Sequence, residues 1–179
     1  IFKDVIDLDR TSVKNQGSAG TCWSFSGNSF IESEMIRMKK KPVDIAEIFT
    51  ARQVYLGKAR NYILLGGAAN LGDGGELHDV MNILRKNGAM PQSAYTLEDY
   101  GKGSVKATEM QKHIKEILDT FLKNPKNVSA TWVKDVNEYM DSQLGKIPES
   151  FDYNGKTYTP KSFANEVIGI NPDDYIEIS

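Results

Sequence analysis

The sequence predicts an α+β protein that is helical over most of its length, and three features carry that expectation. Apolar residues recur at helical spacing in successive segments from Cys22 to Val167. Strand signals are confined to one short hairpin around Asn154-Gly155. The single cysteine, Cys22, stands where a glycine-containing turn meets the first of the helices.

The stretch through Gln16 reads as extended or loop, with Asp4-Val5-Ile6-Asp7 leading toward that turn. From Cys22 a helix is expected to about Lys39, burying Phe25, Phe30, Ile31, Met35 and Met38, and Pro42 helps to end it. Arg37, Lys39, Lys40 and Lys41 read as its solvated end, cations at the negative pole of the helix dipole. Asp44, with Glu47 three residues on, reads as a capping box opening a helix that carries Ile45, Ile48, Phe49, Arg52 and Tyr55. A glycine-rich loop spans Gly66 to Gly75, and Leu77, Val80, Met81 and Leu84 then give a helix that stops at Gly88.

Beyond Tyr100 the pattern is of amphipathic helices. Ile114, Ile117, Leu118, Phe121 and Leu122 form one that Asn124-Pro125 terminates. Trp132, Val133, Val136, Tyr139 and Met140 form another, ended by Gly145. Tyr153 to Tyr158 is the hairpin, because Asn-Gly favours a type I′ turn. Thr159-Pro160 caps a last short helix through Phe163 and Val167 to Gly169. The chain has no internal repeats.

Length and composition narrow the function. The 179 residues suffice for one domain or two small lobes, and 40% apolar residues suffice for a core. No run of about 18 apolar residues could span a membrane. A net charge of −2 argues against a general nucleic-acid binder. One cysteine allows no internal disulfide, and with two isolated histidines it matches no metal-ligand spacing, so neither a metal nor a cofactor is expected. No signal peptide is visible, yet the chain begins at Ile1, so either a leader was removed or the chain was trimmed.

The segment Val13-Lys14-Asn15-Gln16-Gly17, followed by Gly20-Thr21-Cys22-Trp23-Ser24-Phe25-Ser26, concentrates the chemistry. A thiol attacks only as thiolate, and a helix N-terminus favours that form through its dipole and free N–H groups. The same N–H groups can hold an oxyanion, and a side-chain amide can add a donor. A lone cysteine is usually an inert buried hydrophobe, but the surrounding pattern points the other way. It resembles the active-site segment of papain-like cysteine peptidases. The resemblance implies that Cys22 is the nucleophile, that Gln16 supplies the oxyanion-hole amide beside the Cys22 N–H, and that Trp23 packs near the catalytic imidazole.

A second segment agrees in order. Gly72-Asp73-Gly74-Gly75-Glu76-Leu77 precedes a helix and then Asn87-Gly88-Ala89-Met90-Pro91. Resemblance to the same family implies that Gly74 and Gly75 bind the substrate backbone and that Leu77 lines the pocket for the second residue from the scissile bond. Many members carry a disulfide at positions that here are Ala19 and Gly72. Losing both halves together points to the branch of bleomycin hydrolases and bacterial aminopeptidase C enzymes. Ile147-Pro148-Glu149-Ser150-Phe151, Tyr158-Thr159-Pro160-Lys161-Ser162-Phe163 and Asp173-Asp174-Tyr175 look like that branch as well.

A cysteine peptidase also needs an imidazole and a group to orient it. In compact members these lie roughly 130–150 residues after the cysteine. That window holds Asn154, Asn165 and Asn171 but no histidine. His78 follows the Gly-Gly pair, where the family has no catalytic role, and reads as a partly buried or surface helix residue; His113 reads as exposed on the inserted helix. The chain is therefore expected to be the N-terminal half of a larger enzyme and inactive alone. It could be a deliberate truncation, a proteolytic product still held by its other half, or a partial sequence. The expected division is a nucleophile lobe over 1–100, a mainly helical insertion over 101–172, and the start of an absent β-rich right lobe over 173–179.

The resemblance implies a thiol aminopeptidase acting on peptide substrates through an acyl-enzyme, partnered by a C-terminal half carrying His and Asn. It also implies homo-oligomeric assembly and a cytoplasmic location, with a periplasmic or secreted location after leader removal as the alternative. A non-catalytic binding or assembly module keeping the fold is the alternative function. A thiol redox protein is a poor third, since no second cysteine could resolve a sulfenic acid.

Overall fold

The computed structural model describes residues 9–96, 106–123 and 131–178. The expected Asp4–Asp7 lead-in and the Asn124-Pro125 helix stop lie outside them. Helix α1 runs Cys22–Arg37, α2 Glu47–Leu64 and α3 Leu77–Lys86. Helices α4, Ala107–Leu122, and α5, Thr131–Leu144, follow. The hairpin of β1, Phe151–Tyr153, and β2, Lys156–Tyr158, leads into α6, Pro160–Phe163, which continues as a wider turn over Ala164–Ile168.

Around one continuous core, α1 packs on α2 and α3, and α4 and α5 pack on α2. Tyr55, Phe49, Ile31, Met35, Met90, Ile114, Leu118, Met140 and Phe163 are fully buried. Gly27 permits the α1–α3 contact, since an added Cβ would lie 2.5 Å from Val80.

The buried stripe of α1 differs from the one its apolar residues suggest. Ser24, Gly27, Asn28, Ile31, Glu32 and Met35 face inward, whereas Phe25 and Phe30 are half-buried and Met38 is 42% exposed. The inward polar groups find hydrogen-bond partners, as buried polar groups must, some of them on α2. Ser24 Oγ donates to the Glu47 carbonyl at 2.7 Å, and Asn28 Nδ2 donates to the Ser24 carbonyl at 2.9 Å and to Thr50 Oγ1 at 3.2 Å. Apolar periodicity cannot register a helix face whose contacts are hydrogen bonds.

The capping box expected at Asp44 does not form. The N-cap of α2 is Ala46, with no side-chain bond. Residues 44–46 are instead paired with 90–92: Ala46 N–H donates to the Met90 carbonyl at 2.9 Å and Gln92 N–H to the Asp44 carbonyl at 2.7 Å. The Asp44 carboxylate is taken by Lys14, 2.6 Å away. The reciprocal box occurs one helix later, where Glu76 and Asp79 cap α3.

The basic cluster after α1 is also not merely a solvated end. Arg37 pairs with Glu34, but Lys40 Nζ donates to the carbonyls of Ile168 at 2.8 Å and Gly169 at 2.9 Å. It thus places its charge at the negative pole of a different helical segment, 128 residues away in sequence. Arg52, expected simply as part of the α2 face, is buried and joins α2 to α5 by an ion pair to Asp141 and a 2.6 Å bond to the Gly145 carbonyl.

The hairpin forms in the expected register, with Phe151 opposite Tyr158 and Tyr153 opposite Lys156. Its turn has φ of +50° at Asn154 and +78° at Gly155, as a type I′ turn requires. Phe151, Tyr153 and Tyr158 each meet the buried ring of Phe163 edge-on, with centroids 5.1–5.8 Å apart. The final segment straps back across the first helices. Tyr175 Oη donates to Glu34 at 2.7 Å, Arg85 pairs with Asp173 at 2.6 Å, and His78 Nδ1 lies 2.8 Å from Glu177. His113 is half-exposed and stacks on Tyr139 at 4.3 Å. Among the described residues no helix is long and apolar enough to cross a membrane.

Gly88 ends α3 with φ of +86°, and an added Cβ would stand 2.1 Å from the Pro160 carbonyl oxygen. Gly88→Ala should therefore destabilise the protein by about 2–4 kcal/mol, seen as a lower midpoint in urea denaturation. The Glu177 carboxylate raises the His78 pKa above 6.5. Its tie to the C-terminal segment is thus fully present below 6.5 and is lost as pH rises through the raised value. An NMR titration should place the His78 midpoint above 6.5, and Glu177→Gln should bring it down.

Candidate active site

Cys22 is the first residue of α1 and is exposed, so its side chain stands at the helix end where backbone N–H groups have no intrahelical acceptor. The chain reaches it through two tight turns. Asn15 Oδ1 accepts from Gly17 N–H at 2.8 Å, the Gln16 carbonyl accepts from Ala19 N–H at 3.3 Å, and Gly20, at φ +72°, aims the chain into the helix. Two side-chain oxygens near the thiol, Gln16 Oε1 and Thr21 Oγ1, are buried without a hydrogen-bond partner among the described residues. Each orphan of this kind costs about 1–3 kcal/mol.

Trp23 joins this helix end to the glycine-rich loop. Its ring is buried, meets Tyr55 edge-on at 6.3 Å, and donates from Nε1 to the Asp73 carbonyl at 2.9 Å. Gly75 lies flat against the indole; a Cβ there would stand 2.7 Å from the ring. The absence of a side chain at Gly75 thus serves Trp23. Gly74 is different, because nothing lies within 4 Å of an added Cβ, and its face is open to an approaching chain.

Two other loop carbonyls also accept hydrogen bonds. Lys58 of α2 donates to the carbonyl of Gly72 at 2.7 Å and to that of Gly74. Burial lowers the Lys58 pKa against the pull of Asp79 and Asp73. Asp73 Oδ2 accepts from Thr108 Oγ1 at 2.7 Å, and an added Cβ at Gly20 would lie 3.0 Å from that same carboxylate. Trp23 and Asp73 therefore hold the loop to the start of α1, and Tyr55 and Lys58 hold it to α2.

Of the residues singled out from sequence, the structure gathers Cys22, Trp23, Gly74 and Gly75 in one place. Gln16 stands in the turn that leads to Cys22. Leu77 opens α3 and is half-buried against the core. Sequence reasoning missed Asp73 and Lys58, whose parts are played by a backbone carbonyl and by a long-range reach to carbonyls. It also missed the cluster behind the turn. Lys14 Nζ lies 2.7 Å from Glu32, 2.6 Å from Asp44 and 2.7 Å from Glu47. Glu32 is fully buried and accepts further bonds from Thr11 Oγ1 at 2.5 Å and Ile45 N–H at 2.9 Å.

Burial alone would lower the Lys14 pKa, but the three carboxylates outweigh it and hold the ammonium well above the ordinary lysine range. Glu47 is pushed up by burial, which exceeds the opposing pull of Lys14. Among the described residues Glu32, Asp44 and Glu47 are the carboxylates grouped closely enough for a cation, and the Lys14 ammonium sits among them. A cavity of about 220 Å3 adjoins the cluster, lined by Lys14, Asn15, Phe25, Asp44, Glu47 and Gln92.

Comparison with known proteins agrees with this layout. Residues 7–144 match the papain family of cysteine proteases, and the chain belongs to that family. It is similar to the aminopeptidase C of Streptococcus thermophilus, 20% identical over 215 residues, and to that of Lactococcus lactis subsp. cremoris, 22% identical over 207 residues. Each alignment takes in 97% of this chain and 47% of the relative, so the chain spans about half the length of the relatives it matches. The fold matches a crystal structure of PepW from Lactobacillus rhamnosis HN001 with a TM-score of 0.69 and 19% identity, over 95% of this chain and 46% of that one. The fold is papain-like.

Since Gly75 has no room for a Cβ against Trp23, Gly75→Ala should displace the indole and cost about 1–3 kcal/mol. In a Trp132→Phe background, where Trp23 is the remaining tryptophan, a red shift of the emission together with lower stability is expected.

Proposed function

We propose that the protein is a thiol aminopeptidase of the bleomycin hydrolase and aminopeptidase C type. The observation that carries this is the exposed Cys22 at the start of α1, tied through Trp23 to the open Gly74 face. Residues 1–100 form the nucleophile lobe, 101–172 an insertion whose helices α4 and α5 share its core, and 173–179 lead toward a second lobe. That lobe brings the imidazole and the asparagine that orients it.

In this reading the peptide lies extended along Gly74 and Gly75, with its second residue from the scissile bond against Leu77. The Cys22 thiol passes its proton to the imidazole of the second lobe, and the sulfur attacks the scissile carbonyl carbon, forming the C–S bond and leaving negative charge on oxygen. The Cys22 N–H and the Gln16 amide stabilise that charge, each donor contributing roughly 2.7–4 kcal/mol. The C–N bond then breaks, the imidazolium gives its proton to the leaving amine, and water hydrolyses the thioester to the acid and the free thiol. The protein assembles as a homo-oligomer and works in the cytoplasm. Support for aminopeptidase action comes from the relatives' names, and the carboxylate that docks the substrate amine belongs to the second lobe.

The test uses the full-length protein and peptide anilides with a free or acetylated N-terminus. Cleavage of the free form alone, abolished on the order of 10⁴-fold or more by Cys22→Ala, is expected. Equal cleavage of both forms would make the protein an endopeptidase. A biological role surviving Cys22→Ala intact would mean a binding module.

A further inference from the structure

In the turn carrying Gln16, Ala19 is fully buried. The local bonds from Gly17 to Asn15 and from Ala19 to Gln16 shape the turn. Charged ties add directional attachments to both helices just before it. Lys14 reaches carboxylates on three separate pieces of chain: Glu32 in the middle of α1, Asp44 in the segment paired with residues 90–92, and Glu47 at the start of α2. Thr11 adds a second attachment to Glu32. Lys14 is two residues from Gln16, a span of at most about 7 Å, so a displaced Lys14 carries Gln16 with it.

We propose that Lys14 is a positioning residue for peptide hydrolysis, its ammonium locking the Gln16 turn to both helices so that the amide stands where the oxyanion forms. This rests on the reading of Gln16 as an oxyanion donor. An oxyanion donor acts on the transition state more than on bound substrate, so the loss should fall on kcat. A misplacement of about 1 Å can cost on the order of 10²-fold, and the ceiling is the 10²–10³-fold of losing the donor altogether.

The experiment compares Lys14→Met, Gln16→Ala and the double variant in the full-length protein. Two readouts are taken: kcat and KM on a peptide anilide, and the rate of Cys22 alkylation by iodoacetamide, a displacement at carbon that forms no oxyanion. For Lys14→Met, kcat should fall about 10²-fold, with KM and the alkylation rate within about 3-fold of the unmodified protein. The double variant should be no slower than Gln16→Ala, because one donor can be lost only once. The proposal is overturned if kcat survives Lys14→Met while Gln16→Ala is impaired, if the two losses multiply, or if alkylation falls in step with kcat. Full kcat in Gln16→Ala would instead remove the oxyanion reading of Gln16 itself. Should Lys14→Met fail to fold, Lys14→Met with Glu32→Gln and Glu47→Gln removes the buried charges at nearly constant volume, and the same outcomes decide.

Discussion

The half-buried ammonium of Lys14 sets the relation between two helices, α1 with the exposed thiol at its start and α2 packed behind it. The carboxylates of Glu32 and Glu47 are removed from water and face each other across the α1–α2 contact, and the Lys14 charge makes that arrangement tolerable. Taking one partner from a buried ion pair typically costs about 3–5 kcal/mol, because the remaining charge stays desolvated. The hydrogen bonds of Ser24 and Asn28 continue the same polar seam along α1. The two helices are thus located by directional bonds as well as by packing, which restricts sliding far more than apolar contact would.

The seam explains which parts of the molecule were legible in the sequence. Helices whose buried face is apolar, such as α3 with Val80, Met81 and Leu84, and turns with a specific backbone demand, such as Asn154-Gly155, follow from residue type and spacing. The inward face of α1 does not, because Ser24, Asn28 and Glu32 read as solvent-facing until their partners are known. Asp44 shows the same failure from the other side. A capping residue is inferred from neighbours in sequence, and this one is claimed by a cation thirty positions earlier.

The candidate site stands out in the sequence where chemistry is concentrated in a short segment. Cys22, Gln16 and the Gly-Gly pair stand out because a nucleophile, a donor and an unobstructed backbone need particular residue types at particular spacings. Asp73 and Lys58 carry no such mark, since one acts largely through its carbonyl and the other by donating to carbonyls. Gly75 was identified for an approach by substrate, whereas the structure shows the neighbour that already occupies its missing side chain, the Trp23 indole. A glycine can be required by the fold and by the reaction at one and the same carbon.

The strap formed by residues 172–178 has a consequence for the order of events in biosynthesis. Tyr175 fastens Glu34 across 141 residues of chain, and Lys40 reaches Ile168 across 128. At a ribosomal rate of about 5–20 residues per second, roughly 7–28 s separate the emergence of α1 from that of its outer fastening. Throughout that interval the end of α1 that carries Glu34 is made but lacks this fastening. The far end of α1 is therefore fixed by distant chain, whereas its Cys22 end is tied through Trp23 to Asp73, only 50 residues on.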